Sequence, residues 1–572
     1  MTEAMVFHTD PAGGVATETT CAKAPQGNRH TAAAETTRRT DRRTDDKTFI
    51  LFPPSQDHPG IITPALPSRS AATGSYPTSQ ILKACFFSCR HPRGALEIGR
   101  DRQLAEGLPL GQTETGGTPM NVSAQTARTA YSDAEILGMI DEKRGVYDPK
   151  IYTDESLYRL ELERIFARTW ICMGHESQIA KPGDFITAYI GEDPVVVVRQ
   201  KDGSIRVFLN QCRHRGMRIC RADSGNAKAF TCTYHGWAYN QGGDLVSVPM
   251  EQEAFGGCLN KKEWGPKQAR VETYKGLIFA NWDADAPSLD EYLGEAKFYM
   301  DIMLDRCEGG TEALPGVQKW VIPCNWKFAA EQFASDAYHA GTTSHLSGIM
   351  AGVPEDVDLS QVAPPTSGLN VHMSNGHGCG LFLRNPMFYM TILGPKVTEY
   401  LTSGPAYEEA TRRLGKSRTD VHLCHCNIFP NLSFLAGINT VRMWQPRGPH
   451  EIEVWTFGVV DKTAPDDIKE EWRRNISRTF TAGGVFEQDD GENWCDIQQV
   501  LKGHVAQQQK FNIEMASHTV STENPEGFPG ISFAYTYGEE SARGFYRYWT
   551  QIMTAPDWPS IRKIQQQPVA AE

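Results

Sequence analysis

The hydrophobic pattern changes character along the 572 residues. Up to residue 119 the apolar stretches, such as Phe49–Phe52 and Ile81–Phe87, are short and unpatterned, and Thr, Ala, Arg, Pro and Gly dominate between them. Such a segment cannot bury enough apolar surface to offset its ordering entropy. Residues 1–119 are therefore expected to be disordered, or a non-native extension ahead of a true start at Met120. A transit peptide is the other reading of an Arg- and Thr-rich start, and the acidic residues there oppose it. From Ser132 to about Ala167 the spacing is helical, with Ser132 as N-cap and Glu135 three positions on. From about Trp170 to Trp282 the period becomes two. Asp184–Ile190, Pro194–Gln200 and Ser204–Asn210 alternate or run apolar, with Gly-Glu and Asp-Gly turns between them. That stretch reads as a compact all-β module. Beyond Leu289 the texture is mixed. A helix is expected near 326–340, strands over 421–435 and 451–460, and helices near 465–479 and 493–516. No internal repeat is visible.

Composition narrows the class. The length exceeds one ordinary core, so two or more domains are expected. A chain that is 40% hydrophobic and 22% charged has globular texture, and its net charge of -12 argues against nucleic acid or an acidic membrane as partner. No apolar run is long enough to span a bilayer, and the start lacks the features of a secretory leader. A cytoplasmic location is the default expectation. The 14 Cys are then expected as thiols or metal ligands.

Two constellations carry chemistry. Inside the β module stand Cys212-Arg213-His214 and, seventeen residues on, Cys232-Thr233-Tyr234-His235. Cys and His together can hold zinc or an iron–sulfur cluster. The details favour the latter: each loop offers one thiolate and one imidazole, as needed when two Cys hold one iron and two His the other. Gly216 and Gly236 follow the ligand pairs and permit tight loops. In the second half, Gln332, Asp336 and His339 share a face if residues 326–340 are one helix. Gly341 is expected to end that helix, so that His345 arrives from the following loop. Two His and a carboxylate would make a facial triad with open positions for O2 and substrate. The carboxylate is sought in Phe486–Trp494, where Glu487, Asp489, Asp490 and Glu492 are equal candidates on sequence logic alone. His422, Cys424, His425 and Cys426 alternate along an expected strand and cannot all converge on one metal; the inward-facing members are expected to line the catalytic cavity or core. Ala482-Gly483-Gly484 is a turn, because no strand–helix dinucleotide fingerprint surrounds it.

At these motifs the chain resembles a known family. Cys212-Arg213-His214-Arg215-Gly216 and Cys232–Tyr239 look like the Rieske signature of ring-hydroxylating oxygenases. Asp336–His345 and Phe486–Trp494 resemble the large, alpha subunits of biphenyl and polycyclic aromatic hydrocarbon dioxygenases. The resemblance covers essentially everything after Met120. It implies an α+β fold, with an all-β Rieske domain (165–285) inserted in a mixed catalytic domain made of 120–164 and 286–572, an antiparallel sheet with helices. It implies a 2Fe–2S Rieske cluster on Cys212, His214, Cys232 and His235, and mononuclear Fe(II) on His339, His345 and Asp490. Asp336 is implied to link His339 to a Rieske His of a neighbouring chain, His235. Gln332 stands where the naphthalene branch has Asn. Together with a one-residue longer gap between the two His, it points to the biphenyl-like branch. The implied reaction is cis-dihydroxylation of an arene with O2, the electrons coming from NADH through a reductase and a ferredoxin. The implied assembly is an α3β3 hexamer with a small beta subunit. Phe333, Phe480 and Phe486 flank ligand positions and suit an apolar substrate. Ala337 and Ile438 are smaller than the residues of many biphenyl-type relatives, which favours fused rings. Two alternatives share parts of this pattern: a Rieske monooxygenase such as a demethylase, and a zinc-binding interaction module.

Overall fold

The computed structural model describes residues 131–351, 367–384, 386–519, 527–533 and 535–565. The expectations for residues 1–119 and for a start at Met120 lie outside them.

The alternating stretch folds as strands β1 (Ile171–His175), β2 (Asp184–Ile190), β3 (Asp193–Arg199), β4 (Ile205–Leu209), β5 (Ser224–Asn226), β6 (Ala229–Thr231), β7 (Ala238–Asn240), β8 (Leu245–Ser247), β9 (Arg270–Tyr274) and β10 (Leu277–Asn281). They form three antiparallel sheets, ordered β4-β3-β2-β5, β9-β10-β1 and β8-β7-β6. The valine run of β3 has two faces, as period-two geometry requires. Val195 and Val197 join the main core, while Val196 and Val198 join a smaller core with Cys212, Cys232, Trp237 and Tyr239. The module thus has its own core on the side of the Cys/His loops and shares its other face with the rest of the protein.

The second half is built on one large antiparallel sheet of β11 (Thr311–Ala313), β12 (Gln318–Ile322), β13 (Gly368–His372), β14 (Gly378–Leu383), β15 (Val421–Ile428), β16 (Leu432–Ala436), β17 (Thr440–Pro446), β18 (Ile452–Asp461) and β19 (Ile531–Phe533). Its order is β11-β18-β17-β16-β15-β14-β13-β19, with β12 also pairing with β18. Four helices matter for the site: α1 (Trp326–Ser335), α2 (Tyr338–Thr342), α3 (Val485–Val500) and α4 (Glu540–Thr554). Helix α1 packs across β14–β17. Val146–Tyr147, ahead of the β module, pairs with Phe511–Asn512, and Tyr147 stacks on Tyr546 of α4 at 4.9 Å. Chain from both sides of the β module therefore folds together, and the β module is an insertion in an α+β domain.

One buried ion pair fastens this arrangement at the start of α1. Glu161 and Lys327 are both fully buried and 2.6 Å apart, and Glu161 also accepts from Trp326 Nε1 (2.8 Å) and Trp549 Nε1 (2.7 Å). Removing one partner of such a pair leaves an uncompensated charge, which costs about 3–5 kcal/mol. Glu161→Ala is thus expected to destabilise the folded protein by that amount in denaturant unfolding. A shift below about 1 kcal/mol would mean that water or another group takes over the pairing.

Several expected elements are corrected. Ser132 does cap a helix, in a reciprocal box with Glu135, but the helix ends at Leu137. Two short strands, Ile140–Asp141 and Val146–Tyr147, interrupt the expected run before helix resumes at Glu155. The cause is tertiary: Gly145 turns at φ 58°, where an added Cβ would stand 2.8 Å from Ile513 O, and the second strand pairs with 511–512. The helix expected over 326–340 breaks at Asp336, which has extended backbone (φ -85°, ψ 94°). Its carboxylate accepts from the N–H groups of Tyr338 and His339 and so starts a second helix. Gly341 lies within that second helix and does not end it. The helix expected over 493–516 runs instead over Val485–Val500, since Gly491 is accommodated inside it. The strand expected over 421–435 is two strands, β15 and β16.

Candidate metal centres

The two Cys/His loops have the same backbone design. Gly216 N donates to Cys212 O and Cys212 N to Met217 O; Gly236 N donates to Cys232 O and Cys232 N to Trp237 O. Each turn needs a glycine at positive φ, 76° at Gly216 and 75° at Gly236, and at Gly236 a Cβ would stand 2.8 Å from Pro249 Cγ. Cys212 and Cys232 are buried, and Tyr239 donates its hydroxyl to Cys212 Sγ at 3.3 Å. His214 and His235 lie towards the surface with ring centroids 4.4 Å apart, and Trp237 stacks flat on His214 at 5.0 Å. Nδ1 of His214 is buried with no hydrogen-bond partner, as fits a nitrogen reserved for a metal. Two buried thiols beneath two outer imidazoles suit a cluster with both Cys on one iron and both His on the other.

The second centre gathers side chains from three elements. His339 comes from α2, His345 from the turn after it, and Asp490 from α3. His339 Nε2 and His345 Nε2 lie 3.2 and 3.0 Å from the same oxygen, Asp490 Oδ1. These three are the one group of three or more such side chains, among the described residues, whose donor atoms converge closely enough for a metal. Burial opposes ionisation of Asp490, yet the two imidazoles hold its carboxyl well below the usual range. Burial likewise opposes charge on His339, but Asp336 and Asp490 push it up to about 10. Two imidazole nitrogens and an ionised carboxylate are a donor set that fits Fe(II).

The four carboxylates of 486–494 separate by helical position. Asp490 points inward with Phe486 and Trp494, four residues either side. Asp489 pairs with neither histidine among the described residues, and Glu492 is exposed. Glu487 is buried and bound to Arg442 (2.9 Å), whose guanidinium lies 5.0 Å from both the Phe333 and Phe480 ring centroids. Phe486 and Phe480 also pack near His345, at 4.7 and 6.0 Å. Ala337 and Ile438 are buried, Ala337 at the bend between α1 and α2 and Ile438 in the turn after β16.

Asp336 and Gln332 also reach His339. Asp336 Oδ2 lies 3.1 Å from His339 Nδ1, and the Asp336 side chain remains 37% exposed. Gln332 Nε2 is 3.4 Å from His339 Nε2, and Gln332 Oε1 accepts from Trp494 Nε1 at 2.8 Å. The common helix face is not what unites Asp336 with His339; the Asp336 turn is. His422, Cys424, His425 and Cys426 all fall on β15 and do not converge. His425 alone turns toward the site, its Nδ1 3.1 Å from Phe333 O, and burial brings it down to about 4, so that it is neutral. An added Cβ at Gly380 would meet its ring at 2.2 Å, so Gly380 makes the room. Sequence reasoning missed Arg442, Gly380 and the role of Trp494. Only Trp494 lay inside a motif already singled out.

Residues 169–275 match the Rieske 2Fe–2S domain, and residues 289–555 match the catalytic domain of the ring hydroxylating alpha subunit. The biphenyl 2,3-dioxygenase alpha subunit of Rhodococcus jostii is 64% identical over 434 residues, covering 75% of this chain and 94% of that protein. The benzene 1,2-dioxygenase alpha subunit of Pseudomonas putida is 64% identical over 438 residues, covering 76% and 97%. Among solved structures, naphthalene 1,2-dioxygenase from a Rhodococcus species bound to indole superposes with a TM-score of 0.65 at 37% identity, covering 72% of this chain and 95% of that one. A Rieske domain inserted in the catalytic domain of a ring-hydroxylating alpha subunit defines a two-centre iron oxygenase, with a 2Fe–2S cluster and a mononuclear iron as cofactors. The chain belongs to the ring-hydroxylating dioxygenase alpha-subunit family. Neither the demethylase nor the zinc-module alternative is favoured by these relatives.

Proposed function

We propose that this chain is the terminal oxygenase large subunit of a multicomponent system that cis-dihydroxylates an aromatic hydrocarbon. The observation that carries the reading is the convergence of His339, His345 and Asp490 on one point, in a chain that also folds a cradle of two Cys and two His. On this reading Cys212, His214, Cys232 and His235 hold the cluster, and His339, His345 and Asp490 hold Fe(II). When bound, the iron supplies oxygen activation and the cluster supplies electrons. The chain's own residues hold the ligands in place, exclude water and present an apolar wall to the arene. Phe480 and Phe486 are the wall nearest His345, and Asp336 and Gln332 set the surroundings of His339.

The partners follow from the system. A small beta subunit completes the oxygenase, as α3β3, and a ferredoxin with an NADH-dependent reductase delivers electrons. Because the donor is NADH, the cytoplasm is the location that fits. The domain division is taken as 120–164 and 286–572 for the catalytic part and 165–285 for the Rieske part. Similarity to biphenyl and benzene dioxygenases supports a hydrocarbon substrate, and the small side chains at 337 and 438 favour a polycyclic one.

The test is turnover under 18O2 with co-expressed partners. A cis-diol carrying two labelled oxygens is expected; a demethylated or singly labelled product would replace this reading with the monooxygenase one. Substrate size gives a further prediction. Ala337 is 3% exposed, so added bulk there has to displace neighbours or fill free space. Ala337→Met is expected to slow three- and four-ring substrates about tenfold more than two-ring ones, the scale on which a pocket discriminates by size. An equal loss at every ring size, measured across a substrate panel, would remove Ala337 from the pocket wall.

A further inference from the structure

The Gln332 side chain has two ends of opposite chemistry, and the structure shows what chooses between them. A glutamine amide offers a carbonyl oxygen, which accepts hydrogen bonds and can ligate a hard cation, and an NH2 group, which donates and does not ligate. One end of this amide faces Trp494 and the other faces His339 Nε2 at 3.4 Å, the edge of the mononuclear site. An indole N–H is a donor only. Trp494 Nε1 stands 2.8 Å from Gln332 Oε1, so the oxygen is held on the tryptophan side and the NH2 is turned toward the metal edge. The opposite orientation would face two donors to each other at Trp494 and put a potential fourth ligand beside the triad.

Trp494 is well placed to enforce this choice. It is 2% exposed and lies one helical turn beyond Asp490 on the same face of α3, so ligand and lock move together. Its ring packs edge-on against Trp444 at 5.6 Å, and Trp444 is pinned in turn by donating Nε1 to Ser433 Oγ at 2.8 Å. Phe333, on the turn of α1 that carries Gln332, also packs against Trp444, at 5.3 Å.

We propose that Trp494 is a positioning residue that fixes the polarity of the Gln332 amide, keeping its carbonyl oxygen away from the mononuclear site so that the site stays three-liganded with a donor at its open edge. This rests on the assignment of iron to His339, His345 and Asp490. The probe is nitric oxide added to the purified ferrous oxygenase, read by electron paramagnetic resonance, with iron content and Rieske absorption as controls. The wild type is expected to give one high-spin nitrosyl signal. Trp494→Phe keeps the ring but loses the N–H, and is expected to keep its iron and give a second signal from the flipped amide. Gln332→Leu is expected to give a single altered signal, to which adding Trp494→Phe changes nothing. Gln332→Glu still accepts from Trp494 but turns a carboxylate oxygen to the metal edge; it is expected to lose most of the nitrosyl signal and to release iron to a chelator at least tenfold more slowly. This variant carries the test if Trp494→Phe does not fold. A wild-type signal in Trp494→Phe, an additive double variant, or an unchanged Gln332→Glu would each overturn the proposal. Absence of any nitrosyl signal in the wild type would instead overturn the iron assignment beneath it, and the proposal with it.

Discussion

Asp490→Ala is expected to yield a protein that keeps its Rieske absorption, loses its mononuclear iron and has no measurable turnover, whereas the neighbouring Asp489→Ala keeps both metals. The contrast is demanding because the two carboxylates are adjacent in sequence and differ only in direction. Asp490 Oδ1 is the shared contact of both imidazoles, and its carboxylate is held ionised despite burial. Without it, two histidines remain, and His339 is left with Asp336 alone as its counter-charge. Loss of a ligand exceeds the 10- to 100-fold cost of removing even an outer partner of a ligand, so the fall in activity is expected to pass about 100-fold. Asp489 is only half-buried, and burial raises its carboxyl more than the imidazoles of His345 and His339 lower it, so it lacks the direct pairing that holds Asp490 ionised. Iron analysis against the visible spectrum of the same sample reads both outcomes. Equal iron loss in the two variants would dissolve the distinction between them. Cys212→Ala is the complementary control, expected to bleach the Rieske absorption.

What sequence made legible was whatever local chemistry decides. The Ser132/Glu135 box, the period-two stretch that became β2–β4, and the paired Cys/His loops with their glycines are specified within a few residues, and they appear where the pattern put them. The ligand set was half legible. Two histidines could be nominated from the residues themselves; four carboxylates stood equal on that logic, and only the family resemblance named Asp490, the one that helix α3 turns inward. What stayed hidden depends on distant chain. The hairpin at 140–147 forms because 511–512 comes to pair with it. Trp494 meets Gln332 across 162 residues. Arg442, on β17, fills the space between Phe333 and Phe480, which sequence alone presented as two hydrophobic walls. Asp336 is the instructive intermediate case. Its closeness to His339 was anticipated from a helix face, yet the helix stops there because the Asp336 side chain competes for the backbone. The neighbour was right and the geometry behind it was different.

That geometry sharpens the prediction for Asp336, because the residue has two separable tasks. Oδ1 caps the start of α2 through the N–H groups of Tyr338 and His339, and Oδ2 lies against His339 Nδ1. Alanine would remove both, and the lost cap alone costs about 1 kcal/mol at a helix start. Asparagine keeps an oxygen for the cap and gives up only the charge. The Asp336 side chain is also partly exposed, so it can meet a second chain while touching His339. We propose that this second group is His235 of a neighbouring copy; in this chain His235 lies on the surface of the Rieske module beside exposed Tyr234. On that reading the carboxylate is the contact joining centres held by different chains, and a neutral amide in its place breaks the contact without breaking either centre. Asp336→Asn is therefore expected to keep full iron, an unchanged Rieske spectrum and wild-type unfolding, while single-turnover reoxidation of the reduced cluster, with arene and O2 present, slows by about 100-fold or more, the upper range for a group that orients a metal-binding histidine. Reoxidation at the wild-type rate in Asp336→Asn would leave Asp336 as a helix cap and nothing more. A slowing confined to Asp336→Ala, accompanied by lost stability, would point the same way, since only the cap distinguishes the two variants.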